Sequence, residues 1–149
     1  MKSIADPRVL EDLVRRLDAV TPTTPRRWGT LSSHEMLCHL ADAASSVLDR
    51  PGGARLPTRR WRRWLGLYAA LPWPHDLKTP PSVDPRQGGS RPSEYEHDRE
   101  RARAGLRALA AASASAFPSG HRHFGAMRQQ DWQRWGYRHT DHHLRQFGS

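Results

Sequence analysis

Two histidines near the end of the chain, His139 and His143, are the residues best placed to do chemistry. They stand four apart in Tyr137-Arg138-His139-Thr140-Asp141-His142-His143-Leu144-Arg145-Gln146-Phe147. On a helix that spacing puts both on one face, a turn apart. Two imidazoles so placed can bind the same metal ion. The apolar stripe of the same segment runs through Trp132, then Trp135 or Gly136, and on to Phe147. Both histidines fall on that stripe. Histidines set into a core stripe need polar partners or a metal, because an unsatisfied polar group is costly to bury. An exposed or merely hydrogen-bonded pair is the competing reading of the same spacing.

Elsewhere the pattern says less. His39 lies to one side of the face made by Leu37, Leu40, Ala44 and Leu48, beside the small residues Ala43 and Ser46. By pattern alone it reads as a solvated or hydrogen-bonded histidine. Cys38 points about 100° away from His39 on a helix and reads as a small buried residue. It is the only cysteine, so no internal disulfide can form. His121 precedes the last helix and could line a site there. A loop histidine without function is the plain alternative for it and for His34.

The elements that must position these residues are helical. Asp6-Pro7 opens a first helix, with Asp6 as N-cap and Pro7 in the first turn. Val9, Leu10, Leu13, Leu17 and Val20 recur at helical spacing. Thr21-Pro22 ends it. Ser32 and Glu35 form a capping box for a second helix, with Leu31 and Met36 as a hydrophobic staple. Its apolar face continues through Leu40, Ala41, Val47 and Leu48 to Pro51-Gly52-Gly53. Ser93 and Glu96 read as the capping box of a third long helix, with Ala102, Leu106, Leu109 and Ala116 on its stripe. The last helix spans about Arg128 to Phe147, with Gly148 at its C-terminal cap. Short connections join the first pair and the last pair of helices. A long crossover joins the second and third: Arg59 to Leu71 could form a short helix carrying Trp61, Trp64, Leu65, Leu67 and Tyr68, and residues 72 to 92 are rich in Pro, Gly and Ser. Loops of that length are uncommon in compact domains and often functional. The expected fold is therefore all-α: a four-helix bundle in a single domain over residues 1–149, with no strand.

Composition narrows the function classes. At 149 residues the chain can bury a core without disulfide staples. No apolar run of about 18 residues is present, so no transmembrane helix is expected. The N-terminus lacks the apolar run of a secretion signal, and cytoplasm is the expected compartment. The net charge is +9, which permits binding to nucleic acid or anionic membranes. An Arg-, Ala- and Pro-rich composition also follows from genomic base composition. Arg55, Arg59, Arg60, Arg62 and Arg63 with Trp61 and Trp64 form a basic, aromatic stretch in the crossover. Such a stretch can bind phosphates and stack on bases, or lie on a membrane. The simpler reading, which we favour from sequence, places the Trp rings in the core and the Arg side chains in water.

Longer strings carry a resemblance. These are Trp28-Gly-Thr-Leu-Ser-Ser-His-Glu-Met-Leu-Cys-His39-Leu-Ala-Asp42, the Lys78-Thr-Pro-Pro81 turn, His121-Arg-His-Phe124-Gly125, Trp132, and His139 to Gly148. Together they resemble the DinB-like superfamily of metal-binding four-helix proteins, which includes thiol-dependent transferases and a maleylpyruvate isomerase. The terminal His-x-x-His-His-Leu-Arg-Gln-Phe-Gly string is the most specific part. In that superfamily one histidine on the second helix and two on the fourth bind a divalent metal. The resemblance implies those roles for His39, His139 and His143, and it is the resemblance that makes His39 a ligand. Arg122 stands where the family usually has proline, and the usual Ser or Thr cap before the last helix is absent.

Three histidines leave coordination positions open, the layout of a catalytic site. Zinc, nickel and iron all suit imidazole ligands. Asp42, His121, His142 and Gln146 are candidates for a supporting shell that orients the ligands, and Asp141 reads as a surface residue. The implied function is a metal-dependent enzyme of thiol-transferase or hydrolase type acting on a small molecule, with a low-molecular-weight thiol as candidate co-substrate. The alternative is a non-enzymatic stress or nucleic-acid-binding module using the Arg/Trp-rich crossover. A homodimer is the candidate assembly, with no residue that identifies its interface.

Overall fold

The computed structural model describes residues 1–53, 56–75 and 77–149. Arg55, one of the crossover arginines, lies outside them. Five α-helices are present among the described residues: α1 (Pro7–Asp18), α2 (Ser33–Leu48), α3 (Arg60–Arg63), α4 (Tyr95–Ala111) and α5 (Gln129–Gln146). The expected strict four-helix bundle is thereby corrected to an all-α domain of five helices with a long crossover. The added helix, α3, runs directly into a π-helical turn at Trp64–Tyr68. It forms because Leu67 is buried there and the Tyr68 hydroxyl donates to the Asp131 carboxylate of α5. The short crossover helix expected over Arg59–Leu71 is thus present in part, as Arg60–Arg63 and the π-helical turn after it. Two short antiparallel strands also appear, β1 (Gly120–His121) and β2 (Gly125–Ala126). The sequence reading had no strand.

Local signals explain most helix starts. The Asp6 carboxylate accepts from Arg8 N at 2.9 Å. Ser32 and Glu35 form the expected box, with Ser32 N donating to Glu35 at 2.7 Å and Glu35 N to Ser32 Oγ at 3.2 Å. Each satisfies a backbone donor left without an intrahelical partner. At α5 the missing Ser/Thr cap is replaced from within the helix: Arg128 N donates to Asp131 at 2.9 Å. The box expected at Ser93 does not form. Ser93 instead donates through N and Oγ to Asp98, and α4 begins two residues later. It also ends at Ala111, so Ala116 lies beyond it in a separate 3-10 turn.

Leu13, Leu17 and Val20 meet Met36, Leu37, Leu40, Ala44 and Val47 of α2. Ala102, Leu106 and Leu109 of α4 and Trp132, Trp135 and Leu144 of α5 complete this core. Each large side chain contributes about 1.5–3 kcal/mol by burial. The most extensive helix pairing is α2 with α4. Its close approach depends on Gly105, where a Cβ would come within 2.8 Å of the Ala44 methyl. α1 packs on α4 and α5. The crossover returns to α2 where His39 faces α5. There a 3-10 turn, Pro81–Val83, contacts α2.

Candidate metal centre

His39 on α2 and His139 and His143 on α5 come together. One ring nitrogen from each lies within 4.8 Å of the others. The Nε2 atoms of His39 and His139 are 3.0 Å apart. Ring centroids lie 4.6 Å apart for His39 and His143, and 4.8 Å for His139 and His143.

Two of the rings are oriented from behind. His39 Nδ1 donates to the Val83 carbonyl at 2.8 Å, which fixes the proton on Nδ1 and leaves a lone pair on Nε2. His143 Nδ1 donates to Gln146 Oε1 at 2.7 Å, with the same result. The bonded outer nitrogen sets the tautomer. Both rings therefore present basic nitrogens to the shared centre. The triad suits a divalent cation, which would take the lone pairs of His39 and His143; without one, a proton on His139 Nε2 is donated to His39 Nε2 at 3.0 Å.

Burial strengthens this. His39 and His143 are buried and His139 nearly so. Burial, and then the neighbouring imidazoles, hold His139 and His143 well below the usual histidine pKa. Burial also lowers His39, against the opposing pull of its Val83 hydrogen bond. Burial thus favours the neutral form of all three, the state a metal ligand requires.

Aromatic rings enclose the cluster. Trp135 stacks on His139 at 4.7 Å. Trp73, from the crossover, sits 6.3 Å from His139 and 5.9 Å from His142. It is anchored by donating its indole N–H to the Gly66 carbonyl at 2.7 Å. Trp28 stacks on His75 at 4.0 Å and approaches His142 at 6.3 Å.

The four supporting residues named from sequence take different places. Gln146 bonds His143 directly. Asp42 bonds none of the three histidines. It accepts from Ser90 N at 2.6 Å, Ser90 Oγ at 2.7 Å and Arg101 at 3.1 Å, and so pins the crossover beyond Val83. Gly89 fits beneath this bend, where a Cβ would meet Asp84 and Val83 backbone atoms at 2.9 Å. His142 is buried against Trp28 and Trp73, with its pKa lowered to about 4 by burial first and His75 next. It is not one of the three converging rings. His121 stacks on Phe124 at 4.8 Å and touches Trp132 and Trp135, one ring removed from His139. Asp141, expected at the surface, is buried and paired with Arg16 at 2.7 Å and Arg145 at 2.8 Å.

The sequence reading missed the Val83 carbonyl and the Trp28, Trp73 and His75 wall. A backbone acceptor leaves no mark in residue types. The Lys78-Thr-Pro-Pro81 turn was its only trace.

A second grouping whose atoms could hold a metal ion joins His34, Cys38 and Asp98. Its carboxylate is already filled. Asp98 is fully buried and accepts from His34 Nε2 at 2.8 Å, Ser93 N at 2.9 Å and Arg101 at 3.0 Å. Burial first, then the Asp98 charge, pushes the Cys38 thiol up to about 12. A dication here would sit beside the Arg101 guanidinium. We read this grouping as a structural network tying α2 to α4.

Comparison of the chain with protein-family models, curated proteins and solved structures finds no match.

Proposed function

We propose that the chain binds one divalent metal ion through Nε2 of His39, His139 and His143 and uses it to act on a small molecule. The observation that carries this reading is the convergence of three neutral imidazoles, two of them locked from behind by Val83 and Gln146. The resemblance of its sequence to the DinB-like superfamily supports the same three residues. A three-histidine site leaves positions for water or substrate, which distinguishes it from a closed structural site.

A bound ion supplies Lewis acidity and lowers the pKa of a coordinated water or thiol. This chain's residues supply the rest. Val83 and Gln146 hold His39 and His143 in the ligating tautomer. Trp135 and Trp73 pack beside His139 and Trp28 beside His142, and their apolar bulk lowers the local dielectric, which strengthens charge interactions. The reaction class that suits these parts is thiol transfer or hydrolysis, with a low-molecular-weight thiol as candidate co-substrate.

Elemental mass spectrometry of the untagged protein, purified without chelator, tests the centre. Near-stoichiometric zinc, nickel or iron is expected. Folded His39→Ala, His139→Ala and His143→Ala variants should each lose it. A folded wild type that takes up none of the three metals overturns the proposal. Metal-loaded protein that turns over neither thiol-transfer nor hydrolytic substrates leaves a metal-binding protein and removes the enzyme.

A further inference from the structure

The sequence reading placed Trp61 and Trp64 in the core. The structure puts both outside. Trp61 is 66% exposed, Trp64 62% and Leu65 44%. Spaced at i, i+3 and i+4, the three project from one side of the nine-residue α3 and π-helical segment. Among the described residues, every exposed large hydrophobic other than Met1 falls between Trp61 and Leu77 of the crossover. Solitary exposed apolar residues need no explanation, but a concentration of this kind marks an interaction surface.

The surroundings are cationic. Arg59, Arg60 and Arg62 are exposed. Arg63 turns inward to the Ala126 carbonyl and towards Asp131. Arg122, Arg59 and Arg62 lie near enough to His123 to lower its pKa, after the larger effect of burial. No carboxylate is ion-paired with Arg59, Arg60 or Arg62 among the described residues, whereas the arginines of α4 are paired with acids.

Three occupants suit exposed apolar residues, and charge and ring geometry separate them. A second copy of this chain would bring Arg59, Arg60 and Arg62 against themselves across a two-fold axis. Like charges so placed repel. A nucleic acid would use ring faces for stacking. One face of Trp61 is already covered by the Arg62 guanidinium at 5.1 Å, and the aliphatic Leu65 beside it has no role in stacking. An anionic lipid surface uses every part: Trp at the headgroup level, Leu below it, and Arg on the phosphates.

We propose that the Arg59–Leu65 face docks the protein peripherally on anionic membranes, with Trp61, Trp64 and Leu65 entering the headgroup boundary. No helix among the described residues is long and apolar enough to cross a membrane, so attachment is to one leaflet. None of the exposed side chains of this surface is a proposed metal ligand.

Co-sedimentation of the full chain with phosphatidylcholine vesicles, with and without phosphatidylglycerol, tests it. Binding is expected only with phosphatidylglycerol, weakening as salt rises. Trp61→Ser/Trp64→Ser should abolish it. Replacing Arg59, Arg60 and Arg62 with Gln should weaken it by about fivefold per arginine. Because these side chains are exposed, the variants should keep the wild-type circular dichroism and metal content, which separates this test from that of the centre. No binding to phosphatidylglycerol vesicles, or equal binding by the Trp variant, overturns the proposal. So does single-stranded DNA binding, or concentration-dependent dimerisation, that depends on Trp61 and Trp64 while vesicle binding does not.

Discussion

At the scale of single residues, the centre depends on hydrogen bonds behind the ligands as much as on the ligands. Gln146→Ala removes the acceptor of His143 Nδ1 and frees that ring to change tautomer. Metal affinity should fall about 10–100-fold, measured by competition with a chromogenic chelator, while His143→Ala loses the metal outright. Equal affinities for Gln146→Ala and wild type would mean the tautomer is set some other way. The His139/His143 pair was legible because helical spacing converts directly into a shared face. His39 was not legible from periodicity, since its partners come from α5 and from the crossover. Its burial and its Val83 bond are products of the assembled chain. Asp141 was misjudged for a similar reason: its partner Arg16 stands 125 residues away on α1.

Elements show where local signals hold and where they lose. The Ser32 box formed as written because its partners are three residues apart. The Ser93 box did not, because the buried Asp98 needs donors more than the helix start does. Asp98 ties α4 to α2 through His34, beside the Arg101–Asp42 pair. Asp98→Ala would strand His34 and both Ser93 donors, while Arg101 keeps Asp42 and Ser90, and should cost about 1–3 kcal/mol for the donors left unsatisfied. Urea denaturation measures this, and a loss below about 1 kcal/mol would show the network to be dispensable. The α2–α4 contact gives another test. Gly105→Ala gains up to about 1 kcal/mol in helix propensity but presses on the Ala44 methyl, and overpacking costs about 1–3 kcal/mol. The variant should be less stable, and adding Ala44→Gly should recover part of the loss. Additive effects in that double mutant would exclude the contact as the cause.

For the whole molecule, burial of neutral histidines sets the response to acid. Burial first, then His123 and Arg122, lowers the His121 pKa from 6.5 to about 4. Between those values the unfolded chain takes up a proton that the folded one refuses, so stability falls as pH drops from about 6.5 to about 4. Asp98 acts lower. Its pKa is held well below the ordinary 3.8, since hydrogen bonds from Ser93, His34 and Arg101 outweigh the opposing effect of burial. The stability it confers is present above 3.8 and is lost as pH falls further. The thermal midpoint of metal-free protein should therefore decline in two stages. His121→Asn should shrink the upper stage and leave the lower one; an unchanged upper stage would assign it to the other buried histidines alone. Adding metal at about 100 times its dissociation constant should stabilise the fold by about 2.7 kcal/mol. No shift in midpoint would mean that folded and unfolded chains bind the ion equally.

By itself the sequence determined that the chain is helical, where α1, α2 and α5 run, and that His139 and His143 share a face. Those features follow from spacing and caps within a few residues, and short-range geometry fixes them whatever the rest of the chain does. Tertiary structure decided the extent of the short crossover helix and how it is held, by Leu67 burial and the Tyr68–Asp131 bond. It decided that Trp61 and Trp64 face outward, while Leu67 and Tyr68 of the same segment pack on the core. It also decided that His39, a hundred residues from His139, meets it at 3.0 Å with the Val83 carbonyl behind it. Contacts between distant segments depend on how helices pack and where a crossover returns, and no local pattern carries that information.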